Sequence, residues 1–401
     1  MTEAIPVPHG LPIDRDRRCP FDPPPELARL RAERPISRMI YPDGHEGWLV
    51  TGYHAARALL ADPRLSSRSE NRRTAVLTDP VKTGLAGAGP GMISRMDPPE
   101  HTRLRRLLIG EFTVHRMKQL EPRIQELAEQ HIDEMRRQGP PADLVQAYAL
   151  PIPSLVICEL LGVPYEDRKT FRHDSRRLLN LDTAPDEVAA AGASLIHYMS
   201  ELIRDKRARP GSDLLSDLAR GGELDDEEMT GLGMTLLVAG HETTANMLSL
   251  GTLALLEHPD QLRRLRQDPG LIDGAVEELM RYLSVVHASI SRGALADIEI
   301  DGHVIKEGEV VTLSLPAANR DHGRFPDPDE LDVSRSAIGH LAFGHGVHQC
   351  LGQQLARVEM RVGFTALLKA FPELRLAVPA EEIAFREHAF VYGVHRLPVT
   401  W

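Results

Sequence analysis

The sequence predicts a single-domain protein of the mainly α class (α+β), with a few small β-sheets. Helical periodicity covers most of the 401 residues, whereas segments with strand character are few and short. One helical segment, residues 226–257, would span about 48 Å at the α-helical rise per residue, enough to cross a domain. No linker or repeat follows the proline-rich start. We therefore expect an N-terminal arm over residues 1–22 and one domain over residues 23–401.

The shorter elements follow from capping and turn signals. Pro25 opens a helix that we expect to reach Arg34, and Asp301-Gly302 is typical of a hairpin turn within residues 298–305. Residues 69–94 combine charge, glycine and proline, which predicts a long surface loop. The remaining elements are predicted as strands over 48–51 and 310–313, helices over 53–61, 100–137, 150–161, 165–180, 185–207 and 353–371, and a hairpin around 390–393.

The long helix carries its own start and stop signals. Asp225 and Glu228 have the spacing of a capping box, and the acidic residues beside them suit the N-terminal end of a helix dipole. Pro259 is expected to mark its end. The middle of this helix is apolar on all sides, which predicts that it is buried.

Charge and composition exclude several classes of protein. The 47 Lys and Arg residues against 58 Asp and Glu give a formal net charge of −11, which is poorly suited to binding a nucleic-acid backbone. No stretch reaches the ~18 apolar residues of a membrane span, and the N-terminus lacks the apolar core of a secretory signal. Cys19, Cys158 and Cys350 are too few and too distant to form a disulfide framework. We expect a cytoplasmic monomer that binds neither nucleic acid nor a membrane.

The stretch from Phe343 to Gly352, FGHGVHQCLG, is the most informative part of the sequence. Its glycines would let the backbone lie close to a flat ligand, and Cys350 stands just before the helix predicted from residue 353. Amides at a helix N-terminus lower the pKa of a thiol and favour the thiolate. A thiolate in this setting is a good axial ligand for haem iron.

Two other interpretations of this stretch remain open. Cys350 could be a buried structural cysteine, as most isolated cysteines are. The crowding of histidines around it also fits a non-haem metal site, formed by His340, His345, His348 and Cys350.

A second stretch, Ala239-Gly-His-Glu-Thr-Thr244, lies in the middle of the long helix. A buried, unpaired carboxylate is costly, so Glu242 needs a reason to be there. Gly240 weakens the helix, and Thr243 can bond back to a carbonyl one turn earlier, which together could open a groove for a diatomic ligand and water. The alternative is a satisfied Glu/Thr pair in the core. A zincin motif is excluded because position 245 is Ala rather than His.

Two further stretches carry weaker signals. Glu278 and Arg281 have i, i+3 spacing on a helix, which is normally a surface ion pair. His101 and Arg105 lie four residues apart on one helical face and could bind one anion such as a carboxylate. A solvated basic face explains the second pair equally well.

These four stretches occur in an order that resembles the cytochrome P-450 superfamily of haem-thiolate monooxygenases. The resemblance covers essentially the whole chain and is most similar to the actinomycete members that hydroxylate polyketides, statins and sterol-like compounds. The haem loop FGHGVHQCLGQQLAR is highly specific, and AGHETT is strong in this context. One small departure is His322 in AANRDH, where the family usually has proline. The resemblance implies the P-450 fold, with the long central helix over the haem.

The resemblance also implies roles for individual residues. Cys350 would be the axial ligand of the iron in haem b, and O2 would be the cosubstrate. Glu242 and Thr243 would be the acid–alcohol pair that relays protons. Glu278 and Arg281 would lock with Arg335 to support the haem loop. Other contacts to the haem are expected from Ala239 and Phe343, and its propionates would be held by His101, Arg105, Arg292 and His348.

The resemblance extends to substrate and partners. The substrate would be a hydrophobic small molecule, and electrons from NAD(P)H would arrive through a ferredoxin and its reductase, because no flavin or nicotinamide motif is visible. Arg103 and Arg106 are a candidate docking surface for the ferredoxin. Two rival functions remain, a non-haem metal enzyme and a non-catalytic haem-binding protein. The substrate pocket is expected to include Met92, Ile93, Leu237, Val238, Val286, His287, Ile290, Phe390 and Val391.

Overall fold

Helices make up most of the computed structural model, which describes residues 6–76 and 89–401. Short 3-10 and π-helical turns connect several of the α-helices. In these ranges the α-helices are α1 (Pro25–Glu33), α2 (Tyr53–Ala61), α3 (Glu100–Ile109), α4 (Val114–Gln138), α5 (Pro151–Leu161), α6 (Arg168–Leu179), α7 (Pro185–Ala208), α8 (Leu214–Gly221), α9 (Asp226–Glu257), α10 (Pro259–Gln267), α11 (Ile272–Leu283), α12 (Leu315–Ala318) and α13 (Gln353–Ala370).

In the described part of the chain the strands are short and form three small sheets. The largest has the order β1-β2-β8-β5-β3, in which only β2 and β8 run parallel. The others pair β4, β10 and β9, and β6 with β7. The strands are β1 (Ile36–Ile40), β2 (Glu46–Val50), β3 (Leu65–Ser66), β4 (Ala142–Asp143), β5 (Ile290–Ala294), β6 (Ile298–Ile300), β7 (His303–Ile305), β8 (Val310–Leu313), β9 (Arg375–Leu376) and β10 (Pro398–Thr400).

Helix α9 is the central element of the fold. Its start is the expected capping box, because Asp225 accepts a hydrogen bond from the Glu228 amide at 2.8 Å and the Glu228 carboxylate accepts one from the Asp225 amide. It packs against α5, α7, α11 and α13, and nearly its whole second half is buried. Helix α9 ends at Glu257, as expected from Pro259. Pro259 is also the first residue of the next helix, α10.

Most expected elements are present, with a few instructive differences. The helices over 53–61 and 226–257 and the hairpin over 298–305 are confirmed. The single helix over 100–137 is wrong, because the chain breaks after Ile109 and restarts where the Thr113 side chain caps α4. Around residues 390–393 the expected hairpin is reduced to isolated bridges such as Phe385 with Val394. Of the expected loop over 69–94, residues 77–88 lie outside the described part.

The core lies where α9 meets its neighbouring helices, and a second cluster fills the space under the main sheet. Trp48 and Tyr53 belong to the second cluster. Within the described ranges, no helix combines the length and apolar character needed to cross a membrane.

The segment before α3 is fixed to α9 by contact between backbones. Gly231 of α9 has no room for a side chain, because a Cβ there would lie 2.1 Å from the Pro90 carbonyl oxygen. Gly91 has a φ of +85°, which favours glycine. A Cβ on Gly91 would also overlap the Glu228 carbonyl oxygen, at 1.9 Å. The ion pair between Arg103 and Glu228 adds a contact between α3 and α9.

Replacing a glycine by alanine within a helix usually stabilises the protein. The close backbone contact at Gly231 predicts the opposite effect on the free energy of unfolding. Gly231→Ala should lower the free energy of unfolding by roughly 1–3 kcal/mol, because the added methyl group displaces residues 89–91. Gly221→Ala in α8 meets open space and should instead raise it by up to about 1 kcal/mol through helix propensity. Urea unfolding of both variants measures the difference. Equal stabilisation by the two substitutions would contradict the contact.

Candidate active site

A tight loop between residues 340 and 352 presents Cys350 just before α13. The Cys350 amide donates a hydrogen bond to the Phe343 carbonyl at 2.8 Å, which closes the loop. Gly344 and Gly346 have φ values of +69° and +75°, a backbone conformation that glycine adopts without strain. A Cβ on Gly346 would lie 2.7 Å from the Leu60 carbonyl oxygen. The loop therefore needs glycine to pack against α2.

The Cys350 side chain is exposed on this loop. Crowding by the surrounding protein nevertheless raises the pKa of the Cys350 thiol, and the Gly352 amide, Arg105 and Arg357 oppose that effect. The expectation of a lowered thiol pKa is therefore wrong in net direction, although the amide at the helix start acts in the expected sense. Desolvation is the larger effect here.

Four cationic or imidazole side chains that the sequence assigned to one anionic group lie close together. The His101 and His348 rings are 4.2 Å apart between centroids, and Arg105 donates to the Gln349 carbonyl at 2.7 Å. Burial lowers the pKa of Arg292 to about 10, and Arg72 contributes to the same shift. Burial, Arg292, His101 and Arg105 together lower the pKa of His348 to about 3. The structure thus brings together guanidinium groups from α3 and β5 and imidazoles from α3 and the cysteine loop, and the imidazoles are held in their neutral forms.

This cluster suits a ligand that carries carboxylates. His101 is buried, and its Nδ1 atom has no hydrogen-bond partner among residues 6–76 and 89–401, a costly arrangement unless a ligand supplies one. Arg72, which the sequence analysis missed, adds a further guanidinium beside Arg292. Its only signal in the sequence was its place in a charged loop. Like charges held together in this way favour a multiply anionic ligand.

Glu278, Arg281 and Arg335 meet in one buried cluster. Arg281 donates to both carboxylate oxygens of Glu278, at 2.7 and 2.8 Å, and Arg335 donates to the same carboxylate at 3.1 Å. Arg281 also binds the Asn319 and Pro328 carbonyls. Glu278 and Arg281 have no exposed surface, so this i, i+3 pair is a core structure and not a surface ion pair.

The neighbouring Glu277 makes a second connection, which the sequence analysis missed. It binds Arg357 of α13 at 2.5 and 3.1 Å and His340 at 3.1 Å. The Arg357 guanidinium lies over the Phe343 ring, 4.5 Å from its centroid. The His340 Nδ1 atom accepts from the Ala342 amide, so its Nε2–H donates to Glu277. Glu277 therefore anchors both ends of the cysteine loop to α11.

The middle of α9 presents two different faces. Ala239 is exposed although its neighbours along α9 are buried or half-buried, and Thr243 is half-exposed, with its hydroxyl donating to the Ala239 carbonyl at 2.9 Å. Glu242 points elsewhere: it is buried and forms an ion pair with Arg386 at 2.7 Å. Burial would raise the pKa of Glu242, but Arg386 and His241 outweigh it and the pKa is lowered. Gly240 lies against Ile157 of α5, so it allows close helix packing.

Comparison with known proteins identifies relatives that match the whole length of the chain. The cytochrome P450 family model matches residues 193–376. Cytochrome P450 105C1 of a Streptomyces species is 50% identical over 402 residues, covering 100% of both chains. Pentalenic acid synthase of Streptomyces avermitilis is 47% identical over 411 residues, again covering both chains fully.

The chain belongs to the cytochrome P450 family. A solved P450 structure, CYP105P1 in complex with filipin I, superposes with a TM-score of 0.91 at 42% identity and covers 99% of both chains. The chain is thus a cytochrome P450 monooxygenase, an enzyme class that uses haem and O2 and receives electrons from redox partners.

In this P450 the residues proposed for a non-haem metal site do not converge. His340 is bound to Glu277 and His348 to Ser67 at 2.9 Å. Among the residues that the structure describes, no three His, Cys, Asp or Glu side chains are grouped to hold a metal ion. The non-haem interpretation therefore finds no support in the fold, in the site or among the relatives.

The predicted substrate-pocket residues fall into two groups. Met92, Val238, Val286, Ile290 and Phe390 are half-buried and retain surface for contact with a ligand. Ile93, Leu237, His287 and Val391 are buried. The His287 Nε2 atom bonds to the Ala389 carbonyl at 2.5 Å, which occupies that side of the ring. The substrate role of both groups stays a prediction.

The anchor at Glu277 predicts a pH-dependent loss of stability. Burial opposes ionisation, but His340 and Arg357 lower the pKa of Glu277 to about 2. A lowered carboxyl pKa stabilises the folded state above the ordinary pKa, and this contribution is lost as the pH falls through the folded value. Glu277→Gln should therefore reduce the free energy of unfolding at pH 7 by roughly 3 kcal/mol.

Urea unfolding at a series of pH values measures this contribution. The difference between the unsubstituted protein and Glu277→Gln should shrink as the pH falls from 5 towards 2. Glu121→Gln, which breaks a partly exposed pair with Arg361, is the matched control and should cost less than about 1 kcal/mol. A pH-independent difference for Glu277→Gln would contradict this assignment.

Proposed function

We propose that this P450 binds haem b, with Cys350 as the axial thiolate ligand of the iron. The observation that carries the proposal is the exposed Cys350 on its closed loop, beside a cluster of guanidinium and imidazole side chains that includes a buried His101 nitrogen without a partner among the described residues. His101, Arg105, Arg292 and His348 would hold the two propionates. A thiol that coordinates a metal is deprotonated by the ion, which would reverse the effect of desolvation on Cys350.

When bound, haem would activate O2 and insert one oxygen atom into the substrate, and electron donation from the thiolate favours O–O cleavage. The protein supplies orientation and proton control. Thr243, half-exposed beside Ala239, would hold a water molecule by its hydroxyl and pass protons from it. Glu242 would supply protons to that water. To do so, its carboxyl group must turn away from Arg386, with which it is paired.

We propose that a ferredoxin delivers the electrons from NAD(P)H by way of its reductase. Arg106 is exposed on α3 and is a candidate contact for an acidic partner. Arg103 is less suitable, because it is already bound to Glu228 and the Glu223 carbonyl. The proposed location is the cytoplasm, with the protein acting as a monomer.

The proposed substrate is a hydrophobic small molecule, by hydroxylation or a related oxidation such as epoxidation or dealkylation. Apolar and half-buried side chains at Met92, Val238, Ile290 and Phe390 support this class. One relative is named for pentalenic acid and one solved relative binds filipin I, both in keeping with polyketide-, statin- or sterol-like or xenobiotic compounds. A non-catalytic haem protein would leave Glu242 and Thr243 without a role.

The absorption spectrum of the reduced, carbon-monoxide-bound protein tests the proposed ligand. We expect a strongly red-shifted Soret band, typical of thiolate-ligated haem, in the purified protein. Cys350→His should replace this band with that of histidine-ligated haem. Cys19→Ser, at the other exposed cysteine, should leave it unchanged. A folded protein that takes up no haem after supplementation would overturn the proposal.

The role of Thr243 predicts uncoupled turnover in Thr243→Ala. Hydrogen peroxide release should rise, and product per NAD(P)H should fall by about tenfold or more, because the Thr243 hydroxyl would no longer position the water that delivers protons. Thr235→Ala removes the same kind of bond, from a hydroxyl to the Gly231 carbonyl, and should leave coupling intact. Product and hydrogen peroxide are measured in the same samples to give the coupling of NAD(P)H oxidation to product. Unchanged coupling in Thr243→Ala would exclude a role for Thr243 in proton relay.

A further inference from the structure

Glu242 lines a small polar cavity of about 30 Å³. This volume is enough for one or two water molecules. Along α9 the cavity is lined by Glu242, Ala245, Asn246 and Ser249, which recur at helical spacing and therefore share one face. Thr243 lies about 100° further around the helix. The cavity and Thr243 thus adjoin different faces of α9.

The cavity is buried at its floor and reaches the surface at its rim. Glu242, Asn246 and Arg386 are buried, whereas Arg176 of α6 and His395 of the C-terminal segment are exposed. Val145 and Leu150 close the remaining side with apolar groups. His395 is therefore the group at the rim that can exchange a proton directly with solvent.

The charges around the cavity favour an ionised Glu242. Arg386 Nη1 lies 2.7 Å from Glu242 Oε2, and His241 Nε2 lies 3.9 Å from Oε1. Arg176 acts on Glu242 and also on His395. Burial, Arg386 and Arg176 each lower the pKa of His395, which makes its protonated form a better acid than free histidine. His395 at the rim can therefore donate a proton, and Glu242 at the floor, paired with Arg386, can accept one.

We propose that His395 is the proton-entry residue of this enzyme, passing protons from solvent through water in the cavity to Glu242. This inference rests on the proposed relay by Glu242 and Thr243. It adds the route by which Glu242 is reprotonated from solvent. Supply from the Thr243 side alone would leave the polar cavity and its opening without use. His395 acts through Glu242, so it is a positioning residue and not a catalytic one.

The proposed transfer is balanced in protons and involves no electrons. Protonated His395 gives its Nδ1 or Nε2 proton to a cavity water, which passes one proton to Glu242 Oε2. The neutral carboxyl group then releases Arg386, turns about its side-chain bonds and gives the proton to water beside Thr243. Glu242 returns to Arg386 as a carboxylate, and His395 takes a new proton from solvent.

His395→Gln tests the entry route. With redox partners, product formation should fall on the order of tenfold, less than for loss of a catalytic acid because water can partly replace the imidazole. The solvent deuterium isotope effect on this rate should rise, and the inflection of the pH profile near the pKa of His395 should disappear. Product formation driven by added hydrogen peroxide, which brings its own protons, should stay unchanged.

Two other variants keep the test specific. Ser249→Val fills part of the cavity without touching His395 and should reproduce the larger isotope effect. His388→Gln removes an exposed histidine from the same segment, where it pairs with Asp182, and should behave like the unsubstituted enzyme. Equal losses in His388→Gln, or equal losses with hydrogen peroxide, would show a structural effect and overturn the proposal.

A measurement without turnover completes the test. In the reduced carbon-monoxide complex, NMR titration of His395 should give a lower pKa in Glu242→Gln, because Arg386 then lacks its counter-charge. Glu187→Gln, which breaks the surface pair with Arg177, should leave it unchanged. No shift in either variant would overturn the proposed coupling. Failure of the proposed haem site is distinguishable, since the unsubstituted protein would then lack the red-shifted band.

Discussion

Two adjacent carboxylates on α11 hold the rest of the site in place. Glu278 is buried with Arg281 and Arg335, and Glu277 binds Arg357 and His340. Removing one partner from such a cluster leaves an unpaired charge in the core. The resulting loss of folding free energy is large, because the remaining charge is buried without compensation. Side chains on one turn of helix thereby fix both the segment before the cysteine loop and the helix that follows it. These ion pairs therefore hold the elements on both sides of Cys350, and the Cys350–Phe343 backbone hydrogen bond closes the loop between them.

The anionic ligand of this P450 is expected where the protein carries unbalanced positive charge. His101, Arg105, Arg292 and His348 come from three elements that are distant in sequence, and Arg72 joins them from a fourth. Arg72 and Arg292 repel each other, and burial and the nearby guanidinium groups keep His101 and His348 in their neutral forms. Stability of the site and affinity for its ligand are therefore linked, because an anionic ligand would compensate the guanidinium charges and accept hydrogen bonds from the imidazoles.

Helix α9 separates two tasks around its circumference. The Ala239–Thr243 face is accessible and low in charge, whereas Glu242 is paired with Arg386 beside a polar cavity. A free carboxylate on the accessible face would draw water and charge to it. In the proposed mechanism, pairing Glu242 with Arg386 on another face would keep an acid near Thr243 without that cost.

The amino-acid sequence alone predicted the helical class, the bounds of α2 and α9 and the glycine-rich loop that carries Cys350. These depend on local signals, such as periodicity, the Asp225–Glu228 cap and the glycines around Cys350, which act within a few residues. It did not reveal β1, β3 and β5, the break after Ile109, or the partners of Glu242 and Glu277. Short strands and buried ion pairs depend on neighbours from distant parts of the chain. Only tertiary packing decides which charge meets which, since desolvation and pairing depend on distance in space.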